Sequence, residues 1–472
     1  MSTVPAYGHD LRHDPATLRA ALADARPESF WLDDPDRPAP RAPLQHDVDT
    51  DLLVVGGGYC GLWTALLAKE RDPARGVVLL EGRRIGWAAS GRNGGFVETS
   101  LTHGADNGRR HFADELTVIE RLAEENAAAF AAALERYGID AEYERTGMLT
   151  VATEPHQIEG LRDAAAAGEG AFVEGAALRA LGDSPLYRAG LVDPTTAYVH
   201  PAKLAWGLAR AAEERGVVIH ERTPVTAVRA TDAAVSVSTA GGSIRARRVA
   251  LATNGFPSLL PHLRLFTVPI YDYVLMTEPL SGAQLAAIGW TGRHGITDSG
   301  REFHYYRKSA DDRILFGGYD AIYHRGRRIR DAHDQRPESF ERLADHFFAT
   351  FPQLQGVRFT HRWGGMIDMS TRLVAHHGVT RDGAVAYSAG YTGLGVGATR
   401  FGAETMLDLL EGRDTERTRL RMARRLPVPV PPEPLAAPLI GMMRRAVARS
   451  DRTGKDDPLL RLAGLFGVGF DS

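Results

Sequence analysis

One stretch near the start, residues 51–93, limits what this chain can fold into more than any other: DLLVVGGGYCGLWTALLAKERDPARGVVLLEGRRIGWAASGRN. It opens with an apolar run, 52–55, that reads as a buried strand. Gly56, Gly58 and Gly61 follow at G-x-G-x-x-G spacing, with Tyr59 and Cys60 inside the turn. Residues 62–69 read as a helix, and a second apolar run, 77–80, ends at Glu81, twenty positions beyond Gly61. Strand, glycine turn, helix, strand and acid in that order describe a dinucleotide-binding βαβ unit. Gly56 permits the tight turn, Gly58 lets a pyrophosphate approach the backbone, and Gly61 lets helix and strand pack closely. The helix N-terminus offers free N–H groups and partial positive charge to phosphates, and Glu81 can accept from ribose hydroxyls. The alternative is a glycine turn that serves packing alone; the second strand and the acid argue against it.

The segment after Glu81 separates one dinucleotide from another. Residues 82–97, GRRIGWAASGRNGGFV, form a second loop of glycines and small residues where a nicotinamide enzyme would continue into further βα repeats. This suits a longer cofactor whose flavin end lies beyond the first pyrophosphate site. Gly82 and Arg83 would lie beside the adenosine. Ala89, Ser90, Arg92 and Asn93, with the amides of Gly91, Gly94 and Gly95, would contact phosphate, ribityl chain or flavin ring. A flexible surface loop is the plain alternative.

These two loops resemble the D-amino-acid oxidase/glycine oxidase superfamily of FAD proteins, and most closely its γ-glutamylputrescine oxidase-like branch. The likeness continues through TEPL (277–280), YYR (305–307), ILFGG (314–318), WGGMIDMS (363–370) and AGYTGLGVGA (389–398), so it runs from about residue 31 to 412. The resemblance implies an α/β (α+β overall) chain with a glutathione-reductase-type FAD fold, a Rossmann-like FAD-binding domain interleaved with a mixed-sheet substrate domain. The expected division is 1–47 as an N-terminal extension and Pro-rich linker, 48–104 with 196–262 and 360–412 as the FAD-binding domain, 105–195 with 263–359 as the substrate domain, and 413–472 as a tail.

For the cofactor, the resemblance adds Val225 near the adenine, Thr253, Asn254 and Gly255 near the pyrophosphate, and Gly390, Thr392, Gly393, Leu394, Gly395 and Val396 at a helix N-terminus facing the flavin carbonyl. It implies oxidation of a small primary or secondary amine by hydride transfer to flavin N5, giving an imine that hydrolyses to an aldehyde. Positioning and electrostatics would do most of that work, so a missing triad is no objection. The expected substrate residues are Tyr305, Tyr306, Arg307, Tyr271, Tyr273 and Trp363: aromatic walls for an amine, and an arginine for a carboxylate. On a strand only one of Tyr305 and Tyr306 can face the site. Arg307 reads equally as an exposed strand-end charge. His304, His376 and His377 are possible bases, but read more simply as structural histidines.

Two departures from relatives matter. Sarcosine-oxidase-like members attach flavin to a cysteine late in the chain; here the one cysteine is Cys60, so FAD is expected to be non-covalent. They also carry a lysine after the YY motif that promotes reaction with oxygen, whereas here that strand reads 313–318 without lysine and Lys308 sits in a preceding loop. Oxygen or another electron acceptor therefore stays open. Competing readings are an amino-acid or N-methyl-amino-acid oxidase or dehydrogenase on the same fold, and a flavin-binding subunit without turnover. A plain NAD dehydrogenase would leave the later glycine loops without a role.

The remaining sequence is less specific. A chain of 472 residues can bury two sizeable cores. A net charge of −3 does not call for nucleic acid or a membrane surface, and neither a metal-ligand spacing nor a spanning apolar run is present; a cytoplasmic protein is expected, with oligomerisation open. Helices are expected at 15–25, 105–137, 155–167, 175–181, 202–215, 339–351, 393–410 and near 439–449. Strands are expected at 141–144 paired with 148–152, at 217–220, 224–231, 235–239, 243–247, 249–253, 265–277, within 302–319, at 360–369 and at 384–388. The Arg- and Pro-rich tail reads as packing, solvated or oligomer-contact structure.

Overall fold

The computed structural model describes residues 6–231, 234–465 and 467–468. The run Leu52–Val55 is the inner part of strand Val48–Val55, which sits at the middle of an eight-stranded sheet. It pairs in parallel with Val77–Leu80 on one side and Ser243–Leu251 on the other. Val217–His220 extends the sheet beyond Val77–Leu80. Val385–Ala389 adds in parallel to Ser243–Leu251, and the strands Ala227–Ala230 and Val235–Ser238 close that side antiparallel. The inner strands are apolar on both faces because both faces are covered. Helices Tyr59–Arg71, Pro201–Glu213 and Gly395–Leu410 cover one face. A second cluster, with Leu53, Val78, Val237 and Val249, forms on the other.

A nine-stranded mixed sheet makes the second body. Its long central strand, Val268–Thr277, pairs with Ile314–Gly318 and Ile322–Tyr323 on one edge and with Phe359–Met369 on the other. His304–Lys308, Gly295–Asp298, Met148–Ala152, Ala189–Asp193 and Ala171–Val173 continue the sheet outward. Alternation sorts the side chains of Val268–Thr277. Tyr271, Tyr273 and Leu275 enter the core beneath helix Pro337–Thr350, with Phe340 and Phe347. Val268, Ile270, Asp272 and Val274 face the opposite way, toward the first sheet.

Several expectations change. Strand Phe359–Met369 belongs by its hydrogen bonds to the second sheet, so a domain boundary at 360 falls inside a strand of that sheet. The expected 141–144 and 148–152 hairpin does not form. Glu144–Arg145 pairs with Ala197–Tyr198 in a small three-stranded sheet, while Met148–Ala152 pairs with Ala189–Asp193 and Gly295–Asp298. The expected helix over 105–137 is two, Gly104–Phe112 and Leu116–Arg136, separated by a 3₁₀ turn. Lys308 ends a strand, not a loop, and its ammonium is held by the Trp290 carbonyl at 2.7 Å. In the tail, helix Ala436–Thr453 runs longer than expected and ends on the left-handed Gly454. Among the described residues no helix is long and apolar enough to cross a membrane.

Candidate active site

Between the two sheets lies a cavity of about 1560 Å³. Its wall begins at the glycine turn. Gly56 leaves its strand at φ 113°, and a Cβ there would stand 2.4 Å from the Ala252 carbonyl oxygen. A Cβ on Gly61 would stand 1.9 Å from the Gly56 oxygen, so helix and strand meet backbone to backbone. Gly58 differs: Ser90 Oγ, at 3.0 Å, is the one atom that its Cβ would meet within 4 Å, and the residue lines the cavity. That is the opening through which a ligand can reach the backbone. Glu81 is buried beside it. Its carboxylate accepts from the Gly57 N–H at 2.7 Å, the Arg83 N–H at 2.7 Å and Trp87 Nε1–H at 3.0 Å. Burial raises its pKa and these donors oppose the rise. Glu81 is thus engaged with protein donors, with little capacity left for a ligand.

The second loop is a built wall. Ser90 Oγ accepts the Tyr59 N–H at 3.0 Å, tying it to the helix start. Arg92 Nε donates to the Trp87 carbonyl at 2.8 Å, and its Nη1 donates to Asp334 and to the Gly364 carbonyl. Asn93 Nδ2 donates to the Ala89 carbonyl at 2.9 Å, and its Oδ1 accepts the Gly95 N–H at 2.8 Å. The opposite wall centres on the buried Asp368. Its carboxylate accepts from the Gly390 N–H and, with the Asn254 amide nitrogen turned toward it, from Asn254 at 2.9 and 2.7 Å. Burial pushes this carboxyl up to about 7. Asn254 and Thr392 both hold left-handed backbone, at φ 51° each, strain that the surrounding bonds sustain. Helix Gly395–Leu410 starts here, and the free amides of its first turn open on the cavity, whose lining runs from Thr392 to Val396.

Asp272, Glu98 and Glu302 line the same cavity. Asp272 accepts from Tyr305 Oη–H at 2.6 Å and the Tyr273 N–H at 2.7 Å, and burial pushes it up to about 6. Burial, aided by Asp193, pushes Glu98 up to about 7. Burial, aided by Asp451, does the same to Glu302. None of the three has an ion-pair partner among the described residues. Phe96 meets the Tyr305 ring edge-on at 5.7 Å.

The family model for DAO, FAD dependent oxidoreductase, matches residues 51–409. The chain belongs to the DAO family of FAD dependent oxidoreductases. Gamma-glutamylputrescine oxidoreductase of Escherichia coli (strain K12) is 32% identical over 399 residues, covering 82% of this chain and 90% of that protein. Sarcosine oxidase subunit beta of Rhizobium meliloti (strain 1021) is 26% identical over 345 residues, 68% of this chain and 74% of the relative. Among solved structures, glycine oxidase from Bacillus cereus ATCC 14579 superposes with a TM-score of 0.66 at 20% identity, covering 80% of this chain and 98% of the other. At that identity the likeness speaks for the fold.

This DAO-family oxidoreductase depends on FAD. The cavity fits the cofactor: its lining runs continuously from Gly56, Gly58 and Glu81, past Ser90 and Asn93, to the open helix amides at Gly395 and Val396. Of the cofactor residues expected from sequence, Tyr59, Cys60, Gly82, Arg83, Ala89, Arg92, Gly94, Val225, Thr253, Asn254, Thr392, Gly393 and Leu394 also line it. Gly61, Gly91, Gly95, Gly255 and Gly390 stand behind the lining. Gly91, for example, packs on the Gly86 carbonyl, and Gly95 on the Val199 carbonyl and the Arg307 guanidinium.

The expected substrate residues divide more sharply. Tyr305 lines the cavity. Tyr306 points to the other face, where its hydroxyl meets Tyr187 at 2.5 Å. Tyr273 lies on that same face, and Tyr271 packs against the His324 and His333 rings outside the cavity. Trp363 is a brace for the second loop, donating from Nε1 to the Arg92 carbonyl at 2.8 Å. Arg307 is neither a carboxylate ligand nor an exposed charge. It is buried, donates to the Val199 and Gly95 carbonyls, and lies over the Trp31 and Tyr198 rings. His304 is held by Asp298 and His346, and His377 by Ser388. Sequence reasoning missed Glu98, Asp272, Glu302 and Asp368. Period-2 alternation places Asp272 opposite Tyr271 and Tyr273; the others depend on distant segments meeting.

Proposed function

We propose that this enzyme oxidises a primary or secondary amine of the γ-glutamylputrescine type at the carbon next to nitrogen. The products are an imine, which water hydrolyses to an aldehyde and a free amine or ammonia, and two electrons passed to oxygen as hydrogen peroxide. Bound FAD supplies the two-electron acceptor. The chain does the rest. Three unpaired carboxyls in one cavity attract an ammonium group, and their raised pKa values let Glu98 or Glu302 accept the proton that an amine must lose before oxidation. Tyr305 and Phe96 wall the same space against water. The open amides at Gly395 and Val396 are placed to stabilise negative charge developing beside them. Cys60 is buried, accepts from Tyr391 Oη–H at 3.2 Å and is pushed up to about 11, so its thiol keeps its proton and FAD binds without a covalent link.

The observation that carries this reading is a cavity lined by Asp272, Glu98 and Glu302, none with an ion-pair partner among the described residues, supported by the relative's name and the extent of its match. An anaerobic absorbance titration of FAD-loaded protein tests it, with γ-glutamylputrescine, putrescine, spermidine, glycine, sarcosine and D-alanine. Bleaching by γ-glutamylputrescine or a plain amine supports it; bleaching by the α-amino acids alone replaces it with an amino-acid oxidase. Admitting air then separates oxidase from dehydrogenase by the speed at which the band returns.

A further inference from the structure

The tail beyond the family match forms part of the cavity. Leu439, Ile440, Met443, Arg444 and Val447 occupy one stripe of helix Ala436–Thr453 and line it together. The helix is fixed at both ends. Ala436 packs with Val268 and Ile270, and the preceding Val430 N–H donates to the Leu265 carbonyl at 2.8 Å. At the far end Asp451 accepts the Arg301 and Glu302 N–H groups at 3.1 and 2.7 Å. Arg444 is therefore held over the cavity by a rigid element.

Four arginines line this cavity. Arg83 is paired with Asp331, Arg92 with Asp334 and Arg301 with Asp456. Arg444 has no acceptor among the described residues, and its Nε is buried without a partner. The charge of Glu302 offsets part of its lost solvation, but with no hydrogen-bonded acceptor among the described residues this half-buried guanidinium gains from an anion that reaches it. Its planar fork is suited to a carboxylate. Ile440 and Met443 give the apolar path that a methylene chain would follow.

We propose that Arg444 is a substrate-binding residue that takes a carboxylate at the far end of an extended amine, so that the tail helix selects amines bearing an acid. This rests on the amine-oxidase reading and deepens it. Glu302 lines the same space and competes electrostatically for Arg444. Calorimetric titration of the full-length, FAD-loaded protein with glutarate, which has carboxylates and no amine to oxidise, reads the subsite without turnover. Glutarate is expected to bind wild type, to bind Arg444→Ala at least about tenfold more weakly and Arg444→Lys with an intermediate loss, and to bind Glu302→Gln more tightly. Opposite signs at the two positions would not arise from loosened packing, and FAD content shows whether each variant has folded. No binding to wild type, or equal binding to Arg444→Ala, overturns the proposal.

The kinetic counterpart compares γ-glutamylputrescine with 4-aminobutanoylputrescine, which lacks only the carboxylate. Wild type should prefer the first, mainly through KM, and Arg444→Ala should lose the preference. If wild type oxidises both equally, the carboxylate subsite fails and the amine reading stands. If it oxidises neither, the amine reading fails, and the glutarate titration still decides whether Arg444 binds carboxylates.

Discussion

Tyr305 and Asp272 show how burial and hydrogen bonds together set the working range of a carboxyl. Burial disfavours the ionised form of Asp272 and holds it at about 6, while Tyr305 Oη–H and the Tyr273 N–H pull the other way. Above that value the group is an anion able to hold an ammonium; as pH falls through it the charge is lost. KM for a cationic amine should therefore rise below about pH 6. Tyr305→Phe removes a donor to the charged form, so the carboxyl should ionise at higher pH and the KM limb should move upward. Asp272→Asn should abolish that limb. A KM–pH profile that is the same in Tyr305→Phe and wild type would remove Asp272 from substrate binding. The residue-level signals that sequence displayed well were local ones: Gly56, Gly58 and Gly61 owe their roles to neighbours within a few positions, apart from the Ala252 carbonyl against Gly56 and Ser90 Oγ beside Gly58. Glu98 and Glu302 had no such signal, since each becomes special only by losing solvent to distant segments.

Strand His304–Lys308 carries the same division between local and distant causes at the scale of an element. The YYR motif marks an aromatic strand in sequence, but a strand has two faces and the motif does not say which one sees the cavity. Tyr305 does; Tyr306 belongs to the core under helix Pro337–Thr350. Arg307, further along the same strand, grips the carbonyls of Gly95 and Val199 and so joins the second sheet to the glycine loop. Burial, aided by Arg293, brings its pKa down to about 10, which still leaves it charged at neutral pH. Arg307→Ala should accordingly cost about 2–4 kcal/mol of stability, since two buried carbonyls lose a charged donor and a cavity opens between Trp31 and Tyr198. Denaturant unfolding checks the loss. Selectivity between acidic and neutral amines should not change, in contrast to Arg444→Ala; a selective loss of acids on Arg307→Ala would reverse the two assignments. The tail helix was expected near 439–449 and is there, but its role was illegible for a related reason. Its apolar stripe is visible in the periodicity of 439–447, but what the stripe covers depends on Val430 pairing beside Leu265, a contact between segments far apart in the chain.

At the scale of the whole molecule, two sheets, joined by Arg92–Asp334 and Arg83–Asp331 and by a core that takes in Val274 and Trp363 of the second sheet, enclose one large cavity. The arginine bridges are partly solvated and each contributes little by itself. Part of the cavity wall is glycine backbone and the first amides of helix Gly395–Leu410, beside the left-handed turns at Asn254 and Thr392. Occupation by FAD should therefore stabilise the junction more than either core. Linkage sets the scale: free FAD at a thousandfold excess over its Kd adds about 4 kcal/mol to the folded state, because the unfolded chain has no site. Stripping FAD from the purified protein should lower Tm and increase hydrogen exchange at 56–60, 86–95 and 390–397, while the core strands Val77–Leu80 and Ile314–Gly318 keep their protection. Restoring FAD should reverse both changes. If exchange rose uniformly over both sheets, the cofactor would be holding the whole fold together; if it did not change at these loops, FAD would lie elsewhere and the cavity would need another occupant.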